Sequence, residues 1–159
     1  MKKYEFTGET KEIVGGRRLH RIRALVDIGK YGVKEGDEGG WIEKEENLSH
    51  DGECWVFGNA WVYEDAWVCG NARVRGNADI FDATHILTVG PIGHRNDTTT
   101  FFRSKDNEIM VVCGCFYGDI GEFTEKVKQT HGDSKHARAY LTAIELAKTQ
   151  IELSDEKTE

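Results

Sequence analysis

Residues 54–87 read CWVFGNAWVYEDAWVCGNARVRGNADIFDATHIL. A branched apolar residue returns at every sixth position: Val56, Val62, Val68, Val74, Ile80 and Ile86. Four places after each of the first four stands a small residue: Ala60, Ala66, Ala72 and Ala78. An α-helix repeats at 3.6 residues and an open strand at two, so neither explains a phase-locked six. A chain that turns a corner every six residues and closes after three corners does, with each rung stacked on the rung eighteen residues away. Valine then fills the flat faces and alanine the narrow corners. Gly58–Asn59, Gly70–Asn71 and Gly76–Asn77 supply the corners, because both residue types tolerate left-handed backbone angles. Ile42 and Leu48 read as earlier steps of the same ladder. The phase slips by two before Val56, and SHDGE at 49–53 holds that insertion as a short loop. The competing pattern is an ordinary meander of alternating AWV strands, which does not require phase-locked alanines.

This ladder resembles hexapeptide-repeat, left-handed β-helix proteins over about 35–50 residues. The resemblance implies a short left-handed parallel β-helix over 41–90. Two to three coils leave open ends, so the flanking segments are expected to cap them. Residues 1–40 form the N-terminal strand and cap segment, in which LHRIRALVDI alternates like a half-buried strand. VKEGDEGGWI is a turn-rich link into the repeats. Residues 91–153 read as an α+β domain. Runs at 98–103 and 108–116 flank SKDN as a hairpin. Asp119, with Glu122 three residues on, caps a helix whose face carries Ile120, Phe123 and Val127. Gly132 stops it. Ser134 caps a second helix with Ala137, Tyr140, Leu141, Ile144, Ala147 and Ile151 at helical spacing. The tail 154–159, SDEKTE, is expected to fray. The fold class is therefore mainly β with C-terminal α: a short left-handed parallel β-helix capped by a hairpin and two helices.

Trp55, Trp61 and Trp67 precede the ladder valines, so they are expected to point outward on three different faces. Outward tryptophan calls for cover by the chain's own flanks or by other subunits, and a homo-oligomer is expected. A length of 159 residues allows one compact domain or two small ones. A formal charge of −7 argues against general nucleic-acid binding, though a local basic pocket is compatible with it. No apolar run reaches about 18 residues, so no membrane span is expected. The start MKKYEFTGETKEIVGG has lysines but no apolar stretch and does not read as a signal peptide. Cys54, Cys69, Cys113 and Cys115 then read as reduced thiols in a cytoplasm.

The candidate chemistry gathers in GPIGHRNDTTTFFR at 90–103. Glycines let backbone amides approach a ligand, and hydroxyls and guanidinium forks suit phosphate oxygens. The candidate ligand-binding residues are His94, Arg95, Asn96, Asp97, Thr98, Thr99, Thr100 and Arg103, with Lys135 at the start of the second helix. Arg95 and Arg103 would neutralise charge. The threonines would donate hydrogen bonds, and Phe101, Phe102 or an outward Trp would stack on a base. No GK[ST] follows, so this is not a P-loop. The competing reading is a loop-to-strand turn with Asn96 and Asp97 capping their own backbone. RRLHRIR at 17–23 is a second cationic cluster, read either as part of an anion pocket or as a salt-bridged strand facing the acids at 35–46. A C-x-C pair on a strand puts Cys113 and Cys115 on one face, with His94 or His131 as further metal ligands or His131 as a base. Buried packing is the alternative for both thiols. No motif calls for a cofactor.

Hexapeptide-repeat families are rich in acyltransferases that use an acyl-CoA donor and often a histidine base. The resemblance makes His85, expected to project from a rung, the candidate base. Over nearly the whole chain, LHRIRAL, GDEGGWIEKEENLSHDG, IGHRNDTTTFFR, VVCGCFYGDIGEF and THGDSKHARAYLTAIELA resemble a set of small phage and prophage proteins of gut-type bacteria. That resemblance implies a host-cell cytoplasm. It gives that context and no mechanism; with the segment 95–103 as the binding site, the expected function is a non-catalytic protein that sequesters a small anionic, nucleotide-derived ligand against host defence. The alternatives are the acyltransferase and a protein–protein inhibitor with no small ligand.

Overall fold

Alternation in the N-terminal segment produces two long strands, β1 (Tyr4–Ile13) and β2 (Arg17–Ala24). They pair antiparallel, with Tyr4 opposite Ala24 and Ile13 opposite Arg17. The burial phase of β2 changes partway. Leu19 is buried, and then Ile22 and Ala24, because the register shifts between Arg21 and Arg23 against β3 (Glu38–Ile42). The structure is a computed structural model and describes residues 2–153, so the expected frayed tail lies outside the described residues. The chain divides into two compact units, Met1–Ala83 and Thr84–Glu159.

In the first unit the period of six becomes short parallel strands: β4 (Trp55–Val56), β5 (Trp61–Val62), β6 (Arg73–Val74) and β7 (Asp79–Ile80). Trp55 pairs with Arg73 and Trp61 with Asp79, each eighteen positions on. Trp41 pairs with Trp61, and Leu48 bridges Val68, each twenty positions on. The two extra residues are the insertion at 49–53. Its Gly52, at φ +75, leaves no room for a β-carbon against the Gly70 carbonyl, and Glu53 N–H donates to that carbonyl at 3.1 Å. The sheets are mixed and separate. One runs β1-β2-β3-β5-β7, with an antiparallel N-terminal half and a parallel continuation, while β4-β6 is a two-stranded sheet of its own.

Ile42, Leu48, Val56, Val62, Val68, Val74 and Ile80 are fully buried, and the four phase-locked alanines nearly so. Full burial of a Val or Ile side chain stabilises by about 1.5–3 kcal/mol, so this file of side chains is the first unit's main apolar core. The corners repeat one hydrogen bond. The N–H groups of Ala60, Ala66 and Ala72 donate to the carbonyls of Phe57, Tyr63 and Cys69, each at 3.2 Å. Where the sequence has Glu64 in place of a corner glycine, Glu64 itself adopts φ +52.

The tryptophans differ from the expectation of three outward rings. Trp55 is buried, edge-on to Tyr4 with centroids 6.3 Å apart. Lys11 covers Trp41 and Trp61 at 4.5 and 5.6 Å. Only Trp67 among the four remains largely open, 59% exposed. Ile86 is not a ladder rung. It opens β8 (Ile86–Ile92) of the second unit and pairs antiparallel with Phe102. His85 does not project outward either. It sits 7% exposed in a short 3-10 turn, Ala83–His85, ahead of that strand.

The second unit continues with β9 (Asp97–Arg103), β10 (Ile109–Cys113) and β11 (Phe116–Asp119), giving an antiparallel sheet in the order β11-β10-β9-β8. The expected hairpin around SKDN is present as β9–β10. The expected single strand over 108–116 is not, because Gly114, at φ +59, turns the chain and starts β11. Cys113 and Cys115 therefore flank a turn and do not share a strand face.

Helices α1 (Ile120–His131) and α2 (Lys135–Gln150) follow. Asp119 accepts from Glu122 N–H and the Glu122 carboxylate accepts from Asp119 N–H, both at 2.8 Å, as the spacing predicts. Gly132 closes α1, and the Ser134 hydroxyl accepts from Ala137 N–H. Phe101, Val111, Phe123, Val127, Tyr140 and Ile144 form the centre of this unit's core. No helix among the described residues is long and apolar enough to cross a membrane.

Candidate functional site

The β8–β9 turn is built by its glycines. Gly93, at φ +80, has the Tyr140 hydroxyl where a β-carbon would stand. Asn96, at φ +50, donates its N–H to Gly93 C=O at 3.1 Å and closes the turn. This sets His94, Arg95 and Asp97 on the rim of a cavity of about 130 Å³. The turn of Cys113, Gly114 and Cys115 forms a second wall. The third is the face of α1 that carries Phe123, Lys126, Val127, Thr130 and His131, while Tyr140 of α2 closes the base. The lining is mostly apolar, with Phe116 and Phe123 tilted at 42° and 5.2 Å between centroids.

Arg95 is held by an absence. Its guanidinium lies on Gly114, where a β-carbon would fall 2.9 Å from Nη1. Among the described residues no hydrogen bond or ion pair engages Arg95 or Lys126, although both face the cavity. The first unit is the opposite case. Arg17 pairs with Glu43 and Glu64 at 3.0 and 2.9 Å, Arg18 with Glu12, Arg21 with Glu38 and Arg23 with Glu5. RRLHRIR is thus the salt-bridged strand that its acidic neighbours allow.

Three histidines meet at the rim. The His94, His131 and His136 rings lie 5.5–6.1 Å apart, and His131 also stacks on Tyr140 at 5.6 Å. Burial, with His94 and His136 close by, pushes the His131 pKa below the ordinary histidine value. Burial and the Cys113 thiol hold the Tyr140 phenol well above its ordinary value, so it stays protonated at neutral pH. Thr99 donates to Cys113 Sγ at 3.5 Å, and Cys113 contacts the Tyr140 hydroxyl at 3.8 Å. Among the described residues no group of three or more His, Cys, Asp or Glu side chains is set to hold a metal ion.

Of the sequence candidates, His94, Arg95 and Asp97 converge on the cavity. Asn96 serves the turn and is exposed. Thr98 gives its N–H to the Asp97 carboxylate at 2.8 Å. Thr99, Thr100 and Arg103 are buried in β9, and Lys135 is exposed at the start of α2; none of them lines the cavity. Sequence reasoning missed Phe116, Lys126 and Thr130. The helix period carried the signal for two of these, since Phe123, Lys126, Val127, Thr130 and His131 fall at i, i+3, i+4, i+7 and i+8.

Fold and site together define a mainly β chain of two units, the second bearing a small, mostly apolar cavity with Arg95, Lys126 and Asp97 on its rim. No protein-family model matches the chain, and no curated protein matches it.

Proposed function

We propose that the chain is a non-catalytic binding protein that sequesters a small anionic, nucleotide-derived ligand in the second-unit cavity. The observation that carries this reading is the pairing of an aromatic chamber with two cations, Arg95 and Lys126, that no ion pair engages. Such a rim attracts an anion, and the chamber removes an attached ring from water. Capture needs no bond made or broken. Of the two thiols on the cavity, Cys113 is engaged by Thr99 and Tyr140, which suits packing better than attack, and Cys115 is exposed. His85, the candidate base of an acyltransferase, is buried, and this favours capture over acyl transfer.

In this proposal the first unit is scaffold. Its eighteen- and twenty-residue parallel pairings and repeated corner bonds support a short left-handed β-helix. Exposed Trp67 is the proposed contact for a homo-oligomer. The biological setting that fits is a phage-type protein removing a nucleotide signal from host defence. The test is native mass spectrometry after incubation with a mixed nucleotide pool. Retention of one nucleotide, released intact on heat denaturation and lost in Arg95→Ala/Lys126→Ala, is expected. A chemically altered product, or retention unchanged in the double variant, would overturn the reading.

A further inference from the structure

Three imidazoles reach the cavity rim from three elements. His94 stands in the β8–β9 turn, His131 ends α1 and His136 lies in the first turn of α2. Their ring centroids are 5.5–6.1 Å apart. His94 is exposed and the other two are half-buried. Among the described residues no hydrogen bond or ion pair engages any of the three rings.

The charged and titratable groups that face them on the cavity are Arg95 and Asp97 from the β8–β9 turn, Lys126 from α1, Cys113 and Cys115 from the β10–β11 turn, and Tyr140 from α2. Tyr140 stays protonated, since burial raises its pKa. Asp97 already accepts the Thr98 N–H and makes no ion pair with the imidazoles. Asp133, Lys135 and Arg138, around the start of α2, are exposed and lie off the lining. With imidazoles and thiols uncharged, Arg95 and Lys126 against Asp97 leave one net positive charge at the cavity.

A singly charged anion neutralises that excess without moving a proton. A doubly charged anion leaves a negative charge beside three imidazoles. A neutral imidazole turns a bare nitrogen as well as an N–H to its surroundings. Taking up a proton makes that nitrogen a donor and cancels the remaining charge. In the free protein burial and the neighbouring rings hold that proton off His131. The anion supplies the counter-charge that reverses this.

We infer that the captured ligand carries a terminal phosphate monoester, a dianion near neutral pH, and that the cluster of His94, His131 and His136 takes up about one proton as the ligand binds. This inference rests on the capture reading above.

Isothermal titration calorimetry on the full chain, at about pH 7 in two buffers of different ionisation enthalpy, counts the protons. AMP and UMP carry the dianion, because their second phosphate proton leaves at about pH 6. Their 3′,5′-cyclic forms carry a single charge. The monophosphates are expected to bind at least tenfold more tightly than the cyclic forms, with uptake near one proton against near none. Their affinity is expected to fall at least threefold from about pH 7 to about pH 8. His94→Gln/His136→Gln leaves Arg95 and Lys126 in place and is expected to cut the proton uptake at least twofold. Cyclic forms binding as tightly as the monophosphates, or monophosphates binding with no proton uptake, would overturn the inference and leave anion capture standing. Inorganic phosphate matching AMP and UMP in affinity and proton uptake would support the imidazole seat and overturn capture of a nucleotide. Binding of none of these would overturn the inference and the capture reading together.

Discussion

Gly40→Ala tests the packing of the ladder most sharply. Gly39 and Gly40 lie in β3 without a left-handed backbone, so what excludes a side chain there is space alone. A β-carbon on Gly40 would stand 2.7 Å from Val56 Cγ1 and 2.8 Å from the Ala60 carbonyl oxygen. Carbon atoms in favourable contact sit at about 3.5–4.0 Å. Val56 is fully buried, and the Ala60 carbonyl accepts the Trp41 N–H at 2.9 Å, so neither neighbour retreats freely. Overpacking by a methylene typically costs about 1–3 kcal/mol. Loosening a ladder hydrogen bond adds about 0.5–1.5 kcal/mol. A loss on the order of 3 kcal/mol follows, and at about 4–8 °C per kcal/mol for a unit of this size the melting point falls by about 12–24 °C. All four tryptophans lie in the first unit, so tryptophan fluorescence reports its melting selectively. Gly58→Ala is the control. Gly58 has φ +59 and nothing within 4 Å, so only the left-handed backbone term of about 1–2 kcal/mol applies. Adding Val56→Ala to Gly40→Ala removes one of the two contacts, and the double variant should lose less than the two single losses combined. A Gly40→Ala protein melting within about 2 °C of the parent, or above Gly58→Ala, would refute the reasoning.

Arg95→Ala should lower ligand affinity at least tenfold, measured by calorimetry, without lowering the melting point, because the side chain is exposed and supports no other group. Gly114→Asn tolerates the left-handed turn but puts a β-carbon under the guanidinium. It should weaken binding severalfold in the parent and not at all in the Arg95→Ala background. His131 has a lowered pKa in the folded chain, so the unfolded chain takes up the proton first as pH falls. Second-unit stability, followed by helical circular dichroism, should be level above the ordinary histidine value of about 6.5 and decline below it. His131→Asn should flatten that decline. Val62→Ala removes two buried carbons from the middle of the ladder and should cost about 2–3 kcal/mol by denaturant titration. A neutral result there would mean that the file of ladder residues is not the core.

The ladder was legible because its signal is redundant. Five rungs, Val56 to Ile80, repeat one spacing without a break, and the eighteen-residue pairing follows from it. Even the slip at 49–53 reappears as the twenty-residue offset of Leu48 and Val68. The helix caps were legible for a different reason. Asp119, Gly132 and Ser134 act on backbone groups within a turn of themselves, so local sequence decides them. Ile86 was misread because a branched residue in phase is equally at home in an antiparallel strand, and only its partner Phe102 decides. CGC was misread because the spacing of two thiols says nothing about which side of φ zero the glycine between them takes. His94, Arg95 and Asp97 of the cavity rim were visible as part of a polar cluster. The rest was hidden because β9 is buried from Thr99 to Arg103, and the helices packed on its unit's core are distant in sequence.

Charge links the two units at the level of the sequence. The chain is acidic overall, at −7, yet its cations are used in two distinct ways. In the first unit each arginine of RRLHRIR has a glutamate on a neighbouring strand or corner. Those pairs are half exposed, so each contributes at most about 1 kcal/mol. Their effect is to leave no concentrated positive field on that surface. In the second unit Arg95 and Lys126 are spared such partners and set beside a low-dielectric aromatic wall. Both cations are exposed at the cavity and no hydrogen bond or ion pair engages them, so their charge is available to an anion there, whereas the arginines along β2 are already paired. Under the proposed function, a net charge of −7 would repel polyanions at long range while Arg95 and Lys126 would hold one compact anion at the cavity. That is the discrimination a protein needs if it is to hold a nucleotide-sized ligand in the presence of nucleic acid.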